Sequence, residues 1–384
     1  MIQPVSTDPQ DVAEIERYYA NLSSQIRLFG AEHLGRRYVV VRLARMEVTG
    51  PLDFSDLQRI LARVVDFRTW YPAFHEEAEA ASAAAERAEA AGDRISAADL
   101  YLRASACHHW GQYLARVRSP QKAEGRSGRV SAYRKVAELL DARIEQLSIP
   151  YGDVRLPGYL HLPEGADGPF SCVIMIDGAD STKEEYHNWA RQFVRRGLAV
   201  LTMDGPGQGE MVGGIPMRPD EWEQPIGAAI DVLETSGLVD ADRIGVWGSS
   251  LGGFLALRAA SFEPRIRAAT SSGGFFDFRD YRSWPVSTQL NVMEDMMLGS
   301  FAETKRYIEE RCSLDGLTER IDVPYLVIHG ARDELVSVEE AELMASGPRG
   351  EFVNFEDGFH TCTNYNATLV PLMCDWMARH LGGS

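Results

Sequence analysis

Beyond Pro150 the chain settles into one repeating pattern, short apolar segments set apart by amphipathic ones, and few folds are compatible with it. The segments are RLPGYLHL, CVIMID, LAVLTMD, RIGVWG, IRAATSS, PYLVIHG and EFVNFE. Each is apolar enough to be buried on both faces, as strands are in a sheet covered by helices on either side. Amphipathic helices between them imply right-handed crossovers and hence a mostly parallel sheet. In such a sheet the ligand site lies beyond the carboxyl ends of the strands, so reactive residues are expected directly after them.

Upstream the texture is different. From about Asp11 to Leu147 apolar residues recur three and four apart, alanine is dense, and alternating β-branched runs are almost missing. This is a helical pattern. Its clearest unit is FHEEAEAASAAAERAEAAGDRISAADLYLRASACHHWGQYL, read as two antiparallel helices, with Gly92 as the left-handed stop and Ser96 capping the second. No second copy follows at a fixed period, so the hairpin is not read as a repeat. Two domains are expected: an all-helical one over 1–147 and an α/β catalytic one over 148–384.

Charge narrows the partners. With 56 acidic against 39 basic residues the formal charge is -17, which repels phosphate backbones and anionic lipid, so neither nucleic acid nor membrane is expected as a partner. The N-terminus lacks the basic-then-apolar order of a signal peptide, and no apolar run is long enough to span a bilayer. The chain reads as cytoplasmic, with a homodimer left open. Its five cysteines, Cys107, Cys172, Cys312, Cys362 and Cys374, are odd in number and lack a CxxC pair. Neither a disulfide framework nor a zinc site is signalled, and no metal is expected.

The strand RIGVWG runs straight into GSSLGG and then into an alanine-rich helical stretch. The pattern G-x-S-x-G is met only with Ser250 at its centre. A serine on a sharp strand-to-helix turn needs neighbours without side chains, and Gly248 and Gly252 supply them. The turn also aims the Leu251 N–H, at the start of a helix, toward the space above the serine where an oxyanion would form. Ser250 is the candidate nucleophile and Ser249 a packed neighbour.

A serine alcohol needs a base, and the base needs an orienting carboxylate. Asp333 lies just past PYLVIHG, and His360 follows the last strand in EDGFHTCTN. The order Ser250, Asp333, His360 is that of the α/β-hydrolases. Glu334 is the rival acid. Asp357 reads as a turn former beside Gly358, and His329, His380, His108 and His109 read as packing or surface residues. A second oxyanion donor is expected in the loop after CVIMID, and there Ala179, following Gly178, is best placed. DGPGQGE reads as a tight turn that helps shape the pocket. No dinucleotide fingerprint opens a helix after the first strand, so no cofactor is implied.

Together the loop DGADSTKEE, the turn DGPGQGE, the elbow GSSLGG, HGARDELV, GFHTCTN and the helical domain placed in front resemble one group of α/β-hydrolases. The group comprises relatives of 2,6-dihydroxypseudooxynicotine hydrolase, fungal polyketide-shortening hydrolases and FrsA-like proteins. The resemblance implies an α/β-hydrolase fold with an N-terminal all-helical cap domain, and a substrate pocket between the two. It also implies Ser250, Asp333 and His360 as a catalytic triad. The best-understood members look like carbon–carbon bond hydrolases acting on ketones beside a stabilised carbanion. The expected substrate is therefore a small acyl, polyketide-like or aromatic ketone from secondary metabolism or aromatic catabolism. Esterase, thioesterase or acyltransferase activity through the same acyl-serine is the alternative, because only the pocket selects the leaving group. A non-catalytic regulatory protein is the third reading, disfavoured because all three triad positions are present. Candidate pocket residues are Phe275, Phe276 and Trp284 in GGFFDFRDYRSWP, with His108 and Tyr113 in the helical domain; aromatic segments of this kind also serve as core.

Overall fold

The computed structural model describes residues 6–31, 45–46, 51–140, 143–165 and 168–382. The helices ahead of the sheet are α1 (Pro9–Phe29), α2 (Phe54–Leu61), α3 (Trp70–Ala91), α4 (Arg94–Gln112) and α5 (Pro120–Leu139). Helix α3 ends as its sequence predicts, on Gly92 with φ 85°. The start of α4 differs. Asp93 takes the N-cap position, and its carbonyl accepts from the Ala97 N–H, so Ser96 lies inside the first turn and caps nothing. The left-handed glycine has already reversed the chain, and the next helix begins without a longer linker.

The sheet follows. Its strands are β1 (Arg143–Tyr151), β2 (Val154–Leu162), β3 (Phe170–Ile176), β4 (Ala199–Met203), β5 (Val239–Ser249), β6 (Ile266–Ser272), β7 (Tyr325–Gly330) and β8 (Gly350–Phe355). They lie in the order β1-β2-β4-β3-β5-β6-β7-β8. Strand β2 runs antiparallel to both its neighbours, and all the other pairs are parallel. Strand β1 begins inside the stretch the sequence assigns to helix, and the expected boundary at 147/148 falls within it. Its signal is weak because the apolar Ile144, Leu147 and Ile149 stand three and two apart and keep no single period, and only Ile149 is buried in RIEQLSIPY.

Period-two alternation divides the buried strands between two cores. Val173, Met175, Val200 and Trp247 face one side, where α6 (His187–Val194) and α12 (Asn366–Leu381) cover them with Trp189, Phe193, Met373 and Trp376. Ile174, Ile176, Leu201 and Val246 face the other. There α7 (Glu223–Ser236) and α8 (Leu251–Phe262) pack with Ile226, Leu233, Phe254 and Leu257. The remaining helices are α9 (Val286–Asp295), α10 (Phe301–Arg311) and α11 (Val338–Met344). The helical region has its own core, with Leu57, Ile60, Trp70, Phe74 and Trp110 at one end and alanines around Tyr133 at the other. Among the described residues no helix is long and apolar enough to cross a membrane.

Candidate active site

Strand β5 hands over to α8 at Ser250, whose backbone sits at φ 57°, ψ -123°. A non-glycine residue there carries strain of order 1–3 kcal/mol. The flanking glycines are needed for space. A Cβ on Gly248 would lie 1.9 Å from the Gly252 carbonyl oxygen, and one on Gly252 would lie 2.3 Å from that of Ile176. The Ser250 N–H is tied to the Ser272 carbonyl at 2.9 Å, which anchors the turn to β6. Leu251 is the first residue of α8, so its N–H is one of the free donors at the helix's positive end.

His360 stands in the loop after β8, and Asp333 in the loop after β7. His360 Nδ1 is 2.7 Å from Asp333 Oδ2, and His360 Nε2 is 2.8 Å from Ser250 Oγ. A carboxylate only accepts, so Nδ1 carries the hydrogen and Nε2 is left as the acceptor for the serine hydroxyl. Asp333 is itself oriented by the Leu335 and Val336 N–H groups, 2.8 and 3.2 Å from Oδ1. Its rival Glu334 is exposed. Two residues with positive φ, Thr361 and Cys362, turn the chain sharply after His360.

The loop between β3 and α6 passes directly over the elbow: a Cβ on Gly178 would be 3.5 Å from that of Ser250. Ala179 and Ser250 line one cavity, together with Arg45, Asp180, Tyr186, Thr288, Asn291 and His360. The charged residues of STKEE, which follow, are buried. Lys183 Nζ lies 2.8 Å from Asp204, 2.6 Å from Glu184 and 2.5 Å from Glu210. Glu184 pairs with Arg129 of α5 at 3.0 Å, and Glu185 with Arg45 at 2.5 Å. His109 of α4 approaches Glu185 within 3.4 Å, and the Tyr113 hydroxyl donates to Asp180. The loop thus joins the sheet to the helical region.

The charges here are set by competition between burial and pairing. Burial raises the Asp204 carboxyl, but Lys183 and Arg129 outweigh it and hold the group well below the usual carboxylate range. Burial works on Glu185 in the same way, and Arg45 and His109 bring it down to about 2. Asp177, by contrast, is pushed well up from the usual carboxylate range by burial and by the Asp204 carboxylate beside it. Glu184, Asp204 and Glu210 have oxygens close enough together to hold a metal ion. The Lys183 ammonium already stands among them and occupies the place a cation would take. DGPGQGE is therefore more than a turn: Asp204 accepts from the Lys183 and Glu210 N–H groups, and the Gln208 side chain donates to the Asp177 carbonyl at 2.6 Å.

Residues 69–349 match the family described as Esterase FrsA-like. The chain belongs to the FrsA-like esterase family. It is 32% identical over 320 residues to 2,6-dihydropseudooxynicotine hydrolase of Paenarthrobacter nicotinovorans, covering 80% of this chain and 84% of that one. It is 37% identical over 225 residues to the 20-hydroxy-prefusarin hydrolase FUS2 of Gibberella moniliformis, where the match spans 55% of this chain and 53% of the relative. The solved structure of 2,6-dihydroxy-pseudo-oxynicotine hydrolase superposes with a TM-score of 0.82 at 29% identity, over 88% of this chain and 95% of that chain. The protein is a hydrolase of the α/β fold with a helical region in front.

Within this FrsA-like frame the five expected pocket residues take other places than the described lining of the Ser250 cavity. Phe275 packs on Trp284 and Phe278, with its ring 6.1 Å from that of His360, and forms core behind that imidazole. Phe276 and Trp284 are buried in the same cluster. Tyr113 stands one bond behind the cavity wall, through Asp180. His108 lies deeper in the helical region, against His75 and Gly128. The residues the sequence reading missed are Arg45, Asp180, Glu185, Thr288 and Asn291. One signal could have pointed to part of this set: the run Lys183, Glu184, Glu185 follows shortly after the strand end CVIMID, and charges held there against the core demand distant partners.

Proposed function

We propose that this hydrolase works through an acyl-serine, with Ser250 as nucleophile, His360 as base and acid, Asp333 as its orienting carboxylate, and the Leu251 and Ala179 N–H groups as the oxyanion hole. The observation that carries this reading is the unbroken hydrogen-bond chain from Asp333 through His360 to Ser250, ending beside the loop that bears Ala179. The substrate we propose is a small acyl, polyketide-like or aromatic ketone, and the bond cleaved is carbon–carbon. His360 Nε2 takes the hydroxyl proton as Ser250 Oγ bonds to the carbonyl carbon. The carbonyl electrons move to oxygen, where the two N–H groups stabilise the charge. Collapse breaks the bond to the neighbouring carbon, which leaves with the electron pair as an enolate or electron-rich aromatic carbanion and takes the proton from His360. Water, deprotonated by His360, then releases the acyl group as an acid and regenerates Ser250.

The likeness to the nicotine-derived and fungal hydrolases supports the carbon–carbon reading. The family description supports a second, an esterase using the same steps with an alkoxide leaving group. Under both, the helical region acts as a cap whose residues reach the site through the loop after β3. A panel of β-diketones and aryl ketones, run beside p-nitrophenyl butyrate, separates the two readings. We expect loss of the diketone absorbance with the wild type and none with Ser250→Ala. Efficient ester turnover with every ketone left intact would favour the esterase.

A further inference from the structure

The two halves of the proposed oxyanion hole are built differently. Leu251 is fixed by the elbow and by α8, so its N–H is set by the backbone of the catalytic core. Ala179 sits in a loop, and the side chains of that loop are gripped from two directions. On the core side, Lys183 is buried against Asp204 through both its N–H and its ammonium, at 2.9 and 2.8 Å. On the other side stands the helical region, with Arg45 making the most contacts to the stretch 180–185. Arg45 Nη1 is 2.7 Å from Asp180 Oδ1, its Nη2 is 3.0 Å from Ser181 Oγ, and Nη2 and Nε reach both Glu185 oxygens at 2.6 and 2.5 Å. The guanidinium thus spans the loop from Asp180 to Glu185, and its face rests on Trp110, 5.2 Å from the ring centre.

We propose that Arg45 is a positioning residue for the oxyanion hole: by bridging Asp180 and Glu185 it fixes the Ala179 N–H over Ser250, so the hole is complete only while the helical region is seated. The proposal rests on the serine-hydrolase reading above. Ala179 is the residue next to Asp180, so a turn of the Asp180 backbone reorients the Ala179 donor. The Tyr113 hydroxyl on the second Asp180 oxygen closes the grip from the same region. Two carboxylates already answer the Arg45 charge, which makes it a strut and not a binding group for an anionic substrate. Lysine could replace it only in part, because a single ammonium keeps the charge but lacks the planar fork that meets two carboxylates and a hydroxyl at once.

Saturable labelling by an alkyl fluorophosphonate tests this, since the phosphoryl oxygen draws on the same hole and no natural substrate is needed. The full-length wild type, Arg45→Met, Arg45→Lys, Glu185→Gln and Lys135→Ala are compared, each checked for folding by circular dichroism. Lys135 pairs with Glu89 far from the site and serves as the control. A misplaced donor lowers the maximal labelling rate by roughly 10- to 100-fold in Arg45→Met, with half-saturation changed by less than about twofold. Arg45→Lys recovers part of the rate, and Glu185→Gln falls in the same direction. If Arg45→Met fails to fold, Glu185→Gln, which keeps the side-chain shape, decides. Unchanged maximal rates in the folded variants would overturn the proposal. So would a change confined to half-saturation, which would make Arg45 a substrate contact. A wild type that takes no label at all would instead remove the serine-hydrolase reading itself.

Discussion

Ser250 is the residue at which sequence, backbone and chemistry meet. Its positive φ is tolerated because the glycines on either side leave room for backbone to touch backbone, and that room is measurable. Gly252→Ala must push its new methyl 2.3 Å from the Ile176 carbonyl, so we expect a loss of about 1–3 kcal/mol in urea unfolding together with loss of Ser250 reactivity. Native stability and native labelling in that variant would mean that the elbow is looser than described. This residue was legible from sequence because its constraint is local: five consecutive positions carry both the strain and the space that relieves it. Asp333 and His360 were legible from chain order and from their places after strands. Arg45 was not, because its partners lie 135 to 140 residues away and no motif surrounds it.

At the scale of elements, the loop between β3 and α6 is where the fold concentrates buried charge. Removing one partner from such a cluster leaves the rest uncompensated, so Lys183→Met should destabilise the protein by about 3–5 kcal/mol in urea titration. Removing the exposed i,i+4 partner in Lys305→Ala should cost less than about 0.5 kcal/mol. Equal effects would show that the loop's ions are better solvated than their burial implies. The junction of β2 and α6 gives a different signature. Burial pushes the His161 imidazole down to about 4 and that of His187 to about 3, from the ordinary value of about 6.5. Both are therefore neutral in the folded state, while the unfolded chain takes up their protons below about pH 6.5. The stability tied to His161 is thus fully present above about pH 6.5 and lost as the pH falls toward about 4. Urea midpoints measured across that window should fall more steeply for the wild type than for His161→Leu, and parallel slopes would contradict a buried neutral imidazole. Seven of the eight strands were readable from sequence, the edge strand β8 among them although none of its residues is buried. Strand β1 was not, because its apolar Ile144, Leu147 and Ile149 stand three and two apart and keep no single period.

For the whole molecule, the sheet places Ser250, His360 and Asp333, the proposed nucleophile, base and acid, at its carboxyl edge, and the helical region reaches the same edge through Arg45, His109, Tyr113 and Arg129. The layout of strands and the order of the reactive residues followed from short apolar segments and the loops between them. Phe275, Phe276 and Trp284, expected in the pocket, pack together in the core beside His360, since rings next to a strand end gain from mutual packing. Everything proposed about the reaction depends on one covalent event at one atom. Mass spectrometry of the intact protein and its peptides after exposure to an alkyl fluorophosphonate tests it most directly. The account predicts a single adduct on Ser250, retained in Ser249→Ala and lost in His360→Ala; an adduct on Ser249, or none on the wild type, would contradict it.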